Sequence, residues 1–203
     1  MPLENDEQTI SVTIAERNEK KLTIFDKAII DETEYQFEKR EFYPGFSMVL
    51  PESFEELPPE YIRVKYPRED RPDIILSNTD TTVNFAFANA APSPDDLNKR
   101  LVQHKAILKR LLPGYVSLTD MVIDLENGMK VACYDYRINA ADADVYCLNF
   151  FTDLPEEQLF CWFTCPLESQ DQWAPLVREM IKTIELWTQD EENEQEKGTK
   201  LAF

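Results

Sequence analysis

The sequence contains four cysteines, one histidine and 39 acidic residues, and these are the groups that could hold a metal, attack a substrate or move a proton. Cys161 and Cys165 sit in LFCWFTCP, residues 159 to 166. Strand alternation places Leu159, Cys161, Phe163 and Cys165 on one face and Phe160, Trp162 and Thr164 on the other. At ~3.3 Å per residue the two thiols stand about 13 Å apart, well beyond the roughly 4.4–6.8 Å Cα separation of a disulfide. Zinc needs its thiolates at about 2.3 Å from one ion, a geometry of knuckles and loops. Cys133, Cys147 and Cys161 fall on three different strands, where neighbours could in principle meet. Four buried free thiols are the expectation, because free cysteine is among the most buried residue types.

His104 lies on the apolar stripe of an amphipathic segment. A lone histidine there is more often a hydrogen-bonded core residue than a base, although a pair with one of the strand cysteines stays open. With 39 acids, coincidental carboxylate pairs are unavoidable, so spacing singles out no catalytic dyad. Asp135 and Arg137 share one strand face and are expected to form a structural ion pair. Gly45, Gly114, Gly128 and Gly198 are too few and too scattered for a phosphate cradle or a dinucleotide fingerprint, and no G-x-S-x-G elbow exists. The sequence therefore nominates no catalytic residue, no cofactor and no metal ligand.

Strands, a helix, a strand meander and a second helix must position these groups. GFSMVLP and IRVKY read as strands, and DIILS and TVNFAFA as a hairpin around Asn78, Thr79 and Asp80. In APSPDDLNKRLVQHKAILKRLL, Ser93 can cap, Pro94 fits the first helical position, and Asp95 and Asp96 suit the positive end of the dipole. Leu97, Leu101, His104, Leu108 and Leu111 then fall on one helical stripe. Asn127-Gly128 predicts a type I′ hairpin that pairs Glu126 with Met129, which puts Ile123, Met121 and Thr119 opposite Ala132, Tyr134 and Tyr136 on a core face. VYCLNFFT and QLFCWFT complete the meander. The last helix starts near Ser169, with Gln172 as its capping-box partner and Trp173, Leu176, Val177, Met180, Ile181, Ile184 and Trp187 as its stripe.

At 203 residues the chain suits one well-buried domain. Residues 1–40 read as an amino-terminal extension, with TISVTI and KLTIF forming a hairpin that could join the main sheet. Residues 41–187 form the α/β domain, and residues 188–203 read as an acidic, polar, disordered tail. The start lacks the pattern of a signal peptide and no apolar run of eighteen residues occurs, so the expected location is cytoplasmic. Net charge is −18, and residues 41–187 alone carry eleven more acids than bases. Such a surface repels phosphate backbones and anionic lipid, which argues against nucleic-acid and membrane partners. It suits solubility, or a partner protein with a basic segment.

Both faces of LFCWFTC are apolar, so both sheet faces should be covered. The expected class is α+β, a mainly antiparallel sheet sandwiched between helices. Should the helices share one face instead, Phe160 and Trp162 become an exposed aromatic patch and a candidate partner-binding face.

Four features carry a family resemblance: the opening GFSMVLPESFEEL, the helix DDLNKRLVQHKAILKRLL, the meander ending in LFCWFTC, and a closing helix running into MIKTIEL. Residues 45 to 187 resemble the PsbP-like fold, shared by the photosystem II protein PsbP, the nuclear import factor that binds the GTPase Ran, and bacterial domains that include chaperones for secreted effectors. The resemblance implies an antiparallel sheet between helices and protein binding without catalysis, and it carries over no site residue. The functional expectation is a cytoplasmic protein-binding module of adaptor or chaperone type. The alternatives are an enzyme with a carboxylate- or cysteine-based site, and a structural subunit of a homo-oligomer.

Overall fold

The computed structural model describes residues 23–42, 45–69, 71–139 and 143–186. Along the chain run β1 (Ala28–Ile30), β2 (Thr33–Tyr35), β3 (Phe37–Phe42), β4 (Phe46–Pro51), β5 (Glu55–Glu56), α1 (Pro59–Lys65), β6 (Ile74–Ser77), β7 (Asn84–Ala90) and α2 (Leu97–Leu111). There follow β8 (Val116–Asp124), β9 (Lys130–Asn139), β10 (Asp144–Asp153), β11 (Gln158–Pro166), α3 (Gln170–Ile181) and β12 (Glu185–Leu186). A seven-stranded sheet has the order β5-β6-β7-β11-β10-β9-β8; a three-stranded sheet, β12-β4-β3, and the β1-β2 hairpin are separate. Every strand pairing is antiparallel.

One face of the large sheet meets α3, the small sheet and the β1-β2 hairpin in the main core. Trp173, Leu176, Val177, Met180 and Ile181 supply the helical side, Ile184 follows beyond the helix end, which comes earlier than the expected stripe stops, and Leu159, Cys161, Phe163 and Cys165 supply one strand of the sheet side. The other face carries two smaller clusters, one under α2 and one beside α1. With both faces covered, β10 is buried without interruption from Tyr146 to Thr152, which is why its sequence is a near-continuous apolar run. The chain is an α+β sandwich as expected.

Several local expectations are corrected. IRVKY belongs to α1: Pro59 occupies its first turn, Glu60 follows, and Arg63 and Lys65 close it. Ile62 and Tyr66, four residues apart, turn toward the sheet, while Val64 is 78% exposed, a helical and not an alternating pattern. Helix α2 starts three residues later than Pro94 implies, because Asp96 Oδ1 accepts from Lys99 N at 2.9 Å and Ser93 Oγ instead accepts from Asp95 N at 3.2 Å in the preceding turn. Leu111 leaves the stripe, 69% exposed, and Leu112 takes the inward place. Ser169 does cap α3 by position, but the expected capping box is not made. Ser169 Oγ and Gln172 Nε2 both donate to the Asp31 carboxylate, which ties the β1-β2 turn to the start of α3.

The β8–β9 hairpin is shifted by one residue from the expected register, with Ile123 opposite Val131 and Met121 opposite Cys133. Gly128 N donates to Leu125 O at 3.0 Å and Leu125 N to Met129 O at 2.8 Å, and only Gly128 takes positive φ, at 84°. This is a three-residue loop closed by a left-handed glycine. Asn127 is held out of the left-handed region by its side chain, which accepts from Met129 N at 3.1 Å and donates to Ile184 O at 2.9 Å. A two-residue turn with both residues at positive φ does occur, at Asp31 (46°) and Glu32 (67°) between β1 and β2. TISVTI lies outside the described residues, as do Trp187 of the expected last-helix stripe and residues 188–203; the described part of KLTIF, residues 23–25, is not strand.

Candidate partner-binding surfaces

Phe160 and Trp162 sit side by side on β11, on the face opposite the main core. Phe160 packs into the α2 cluster and Trp162 into the α1 cluster, so their rings, stacked 6.2 Å apart, bridge the two. Both are half-buried. Trp162 thus lies neither against the α3 stripe nor against the α2 stripe; its neighbours are Leu57, Ile62, Tyr66, Ile75 and Ala86. Full burial of an aromatic typically makes its truncation cost ~3–5 kcal/mol, and half-burial beside a seven-residue helix should bring Trp162→Ala to about 2 kcal/mol. A denaturant midpoint unchanged by this substitution would show that α1 contributes nothing to the covering of this face.

His104 anchors α2 on the same face, its ring 4.8 Å from Phe151 and 5.2 Å from Phe160. Arg100, 3% exposed, lies 5.3 Å over Phe151 and bonds to Gln158 and Asp153, a buried cation that helix periodicity did not single out. Burial, then the neighbouring Arg100, lowers the His104 pKa. The unfolded chain therefore takes up a proton near pH 6.5 while the folded form resists it, so this contribution to stability is present above that pH and fades as pH falls through it. The acid-side loss should be shallower in His104→Leu, measured by melts between pH 7.5 and 5.5. An identical slope would show that the ring titrates freely.

The four cysteines are buried and free. Burial pushes the Cys133 thiol up to about 11 and the Cys147 thiol to about 12, and raises Cys161 and Cys165 well above the ordinary thiol range. Thiols held that far from ionisation at neutral pH are poor nucleophiles and poor ligands. Among the described residues no group of three or more His, Cys, Asp and Glu side chains is placed to hold a metal ion. Nor is any helix among them long and apolar enough to cross a membrane.

Asp135, 4% exposed, does not pair with Arg137. Its carboxylate faces α3, where Arg178 Nη2 reaches it at 2.6 Å, while Arg137 lies exposed farther along β9. Thr119 N and Oγ1 donate to Oδ1 at 2.6 Å each, and Tyr146 Oη donates to Oδ2 at 2.8 Å. These bonds fasten an irregularity in β8 between Ser117 and Asp120, where the register with β9 slips by one. A depression of about 460 Å³ opens beside them, walled by Leu118, Asp171 and Pro175. With donors on both oxygens, this carboxylate is a structural node and not a general base.

A larger groove, about 710 Å³, lies between β3 and the β5-β6 edge. Phe42, Phe54, Ile74 and Leu76 line its apolar part, and Glu38, Glu41, Glu52, Glu55 and Glu56 its charged part. Among the described residues Arg40 is its one cation, and that charge is engaged: Nε donates to Glu38 at 3.0 Å, Nη1 to Phe54 O and Nη2 to Glu52 O, each at 2.6 Å. Among the described residues no ion pair neutralises Glu41, Glu52, Glu55 or Glu56. The acids of FEKREF and PESFEEL are visible in the sequence, but only the meeting of β3 with β5 makes them one surface.

Solved structures share this architecture. The solution structure of cyanobacterial PsbP (CyanoP) from Synechocystis sp. PCC 6803 is similar over 74% of this chain and 92% of that one, with 12% identity and a TM-score of 0.57. LpqN, involved in cell envelope biogenesis of Mycobacterium tuberculosis, is similar over 83% of this chain and 99% of that one, with 12% identity and a TM-score of 0.51. The sequence matches no family model and no curated protein. The fold is PsbP-like.

Proposed function

We propose that this chain is a non-catalytic protein-binding module, of adaptor or chaperone type and cytoplasmic, whose acidic groove receives a basic segment of another protein. The observation that carries the reading is the groove between β3 and β5-β6: five glutamates against one engaged arginine, over an apolar lining. A carboxylate rim steers a cationic partner and accelerates encounter, and Ile74, the partly exposed residue of the apolar lining, offers it a non-polar contact. The raised thiols and the saturated Asp135 favour binding over catalysis, because neither is poised to exchange a proton or attack a substrate. Fluorescence anisotropy with a labelled peptide alternating Lys or Arg with Leu or Phe tests the reading. Binding should be saturable, weaken from 50 to 300 mM salt, and be lost in the doubly substituted Glu55→Lys, Glu56→Lys protein with its melting temperature retained. A peptide that binds the charge-reversed protein equally well would overturn it.

A further inference from the structure

The small sheet ends in a strand whose outer side is unpaired. In the order β12-β4-β3, β3 is an edge, six residues long, and it forms one wall of the acidic groove. Two bonds fix which of its backbone groups turn outward. Glu52 N donates to Gln36 O at 2.8 Å, so Gln36 turns toward β4, and every second residue after it does the same. Val49, opposite Lys39, sends its N–H away from β3 to Thr183 Oγ1 at 2.9 Å, as in a cross-strand pair that exchanges no bonds. Phe37, Lys39 and Glu41 therefore direct their N–H and C=O groups to the free edge, and among the described residues nothing bonds to those groups. No other edge strand among the described residues offers so long a regular row. β5 and β12 have two residues each, β1 and β2 three each, and the row of β8 is broken between Ser117 and Asp120.

We propose that the basic segment received by the groove, on the reading given above, is taken up as an extended strand that pairs with β3 and adds a fourth strand to the small sheet. Backbone chemistry selects the conformation. A segment lying along β3 removes water from its outward N–H and C=O groups, and each such group left unmet costs free energy comparable to a lost hydrogen bond. A helix, whose own backbone is already paired, does not meet them; a strand does, in register. Charge selects the sequence. Glu38, Lys39, Arg40 and Glu41 on an edge strand guard it against chance pairing with a neighbouring chain. Lys39 is engaged by Glu185, and Arg40 by Glu38, Glu52 O and Phe54 O. The strand that this edge admits is therefore one whose alternate residues are Lys or Arg, turned toward the groove's glutamates.

The experiment uses the full chain and a labelled peptide of about eight residues alternating Lys with Leu, prepared unmodified, N-methylated at the Lys amides, and N-methylated at the Leu amides. Amides of alternate residues in a strand point to opposite edges, so only one of the methylated phases faces β3. The expected result in fluorescence anisotropy is a loss of about tenfold or more for one phase and little change for the other, because a blocked donor leaves its acceptor on β3 unmet. Lys39→Pro supplies the matching change on the protein: the Lys39 N–H makes no bond to β4, and proline is tolerated at such an edge position. It should weaken the unmodified peptide about tenfold or more, while Lys39→Ala, which loses the same ion pair with Glu185, should bind at least as tightly as the parent. Should the proline variant melt early, the methylated peptides decide alone. An unmodified peptide that does not bind would overturn the groove reading and the strand with it. A peptide that binds, is lost in the Glu55→Lys, Glu56→Lys protein, and is either indifferent to both methylation phases or weakened equally by both would leave the groove reading standing and overturn the strand. A dimer in light scattering that Lys39→Pro dissociates would put a second copy on this edge and overturn it likewise.

Discussion

Replacing Trp173 with alanine is expected to cost about 3–5 kcal/mol, the range for truncating a fully buried aromatic, because nothing nearby can fill the space. Trp173 is 1% exposed, with ring centroids 5.1 Å from Tyr35, 5.9 Å from Phe54 and 5.6 Å from Phe163. Those three rings come from β2, the segment after β4, and β11, so one side chain on α3 joins the hairpin, the small sheet's connection and the large sheet. Domains of this size are stable by only about 5–15 kcal/mol, so the loss is a large fraction of the whole. The melting temperature should fall by roughly 10 °C or more. Trp173→Phe, which keeps part of the aromatic contact, should recover a good share of it. A midpoint for Trp173→Ala within a degree or two of the parent would mean that the three packed elements are not held through this residue.

The main core was legible because its signal is periodic. The α3 stripe from Trp173 to Ile181 and the Leu159, Cys161, Phe163, Cys165 face of β11 each repeat at the spacing of their element, and both are buried as expected. The aromatic doublet Phe160 and Trp162 was also legible as a second apolar face covered by a helix, but the share of that cover supplied by α1 was not. Helix α1 has only seven residues, two turns, and over so short a span Ile62 and Val64 fit alternation as readily as helical period. What the sequence could least convey was the choice among local polar partners. Asn127-Gly128 is the favoured pair for a two-residue turn, yet the Asn127 side chain found Ile184 O, 57 residues away, and the loop lengthened by one. Ser169 and Gln172 have the spacing of a capping box, yet Asp31, 138 and 141 residues away, claims both. Each miss has the same cause: a side chain that can satisfy itself locally is bonded instead to a group that only the tertiary fold brings near. The acidic groove escaped for the related reason that its glutamates come from strands of two different sheets.

The pair of Asp135 and Arg178 should behave as a coupled unit. Arg178→Met is expected to destabilise the domain by about 3 kcal/mol, near the low end of the range for breaking a buried pair, because it leaves a carboxylate under α3 without its cation while Arg178 itself keeps a partly exposed end. Asp135 would still accept from Thr119 and Tyr146, so the fold should survive. A double-mutant cycle separates this account from simple loss of packing. Asp135→Asn made together with Arg178→Met should cost less than the two single changes added, since the second removes the charge that the first would strand. Denaturant melts of the four proteins at pH 7.5 decide it. A deficit below about 1 kcal/mol, the scale of an exposed ion pair, or single changes that simply add, would show that the carboxylate is effectively solvated and that the β8 irregularity is held by Thr119 alone.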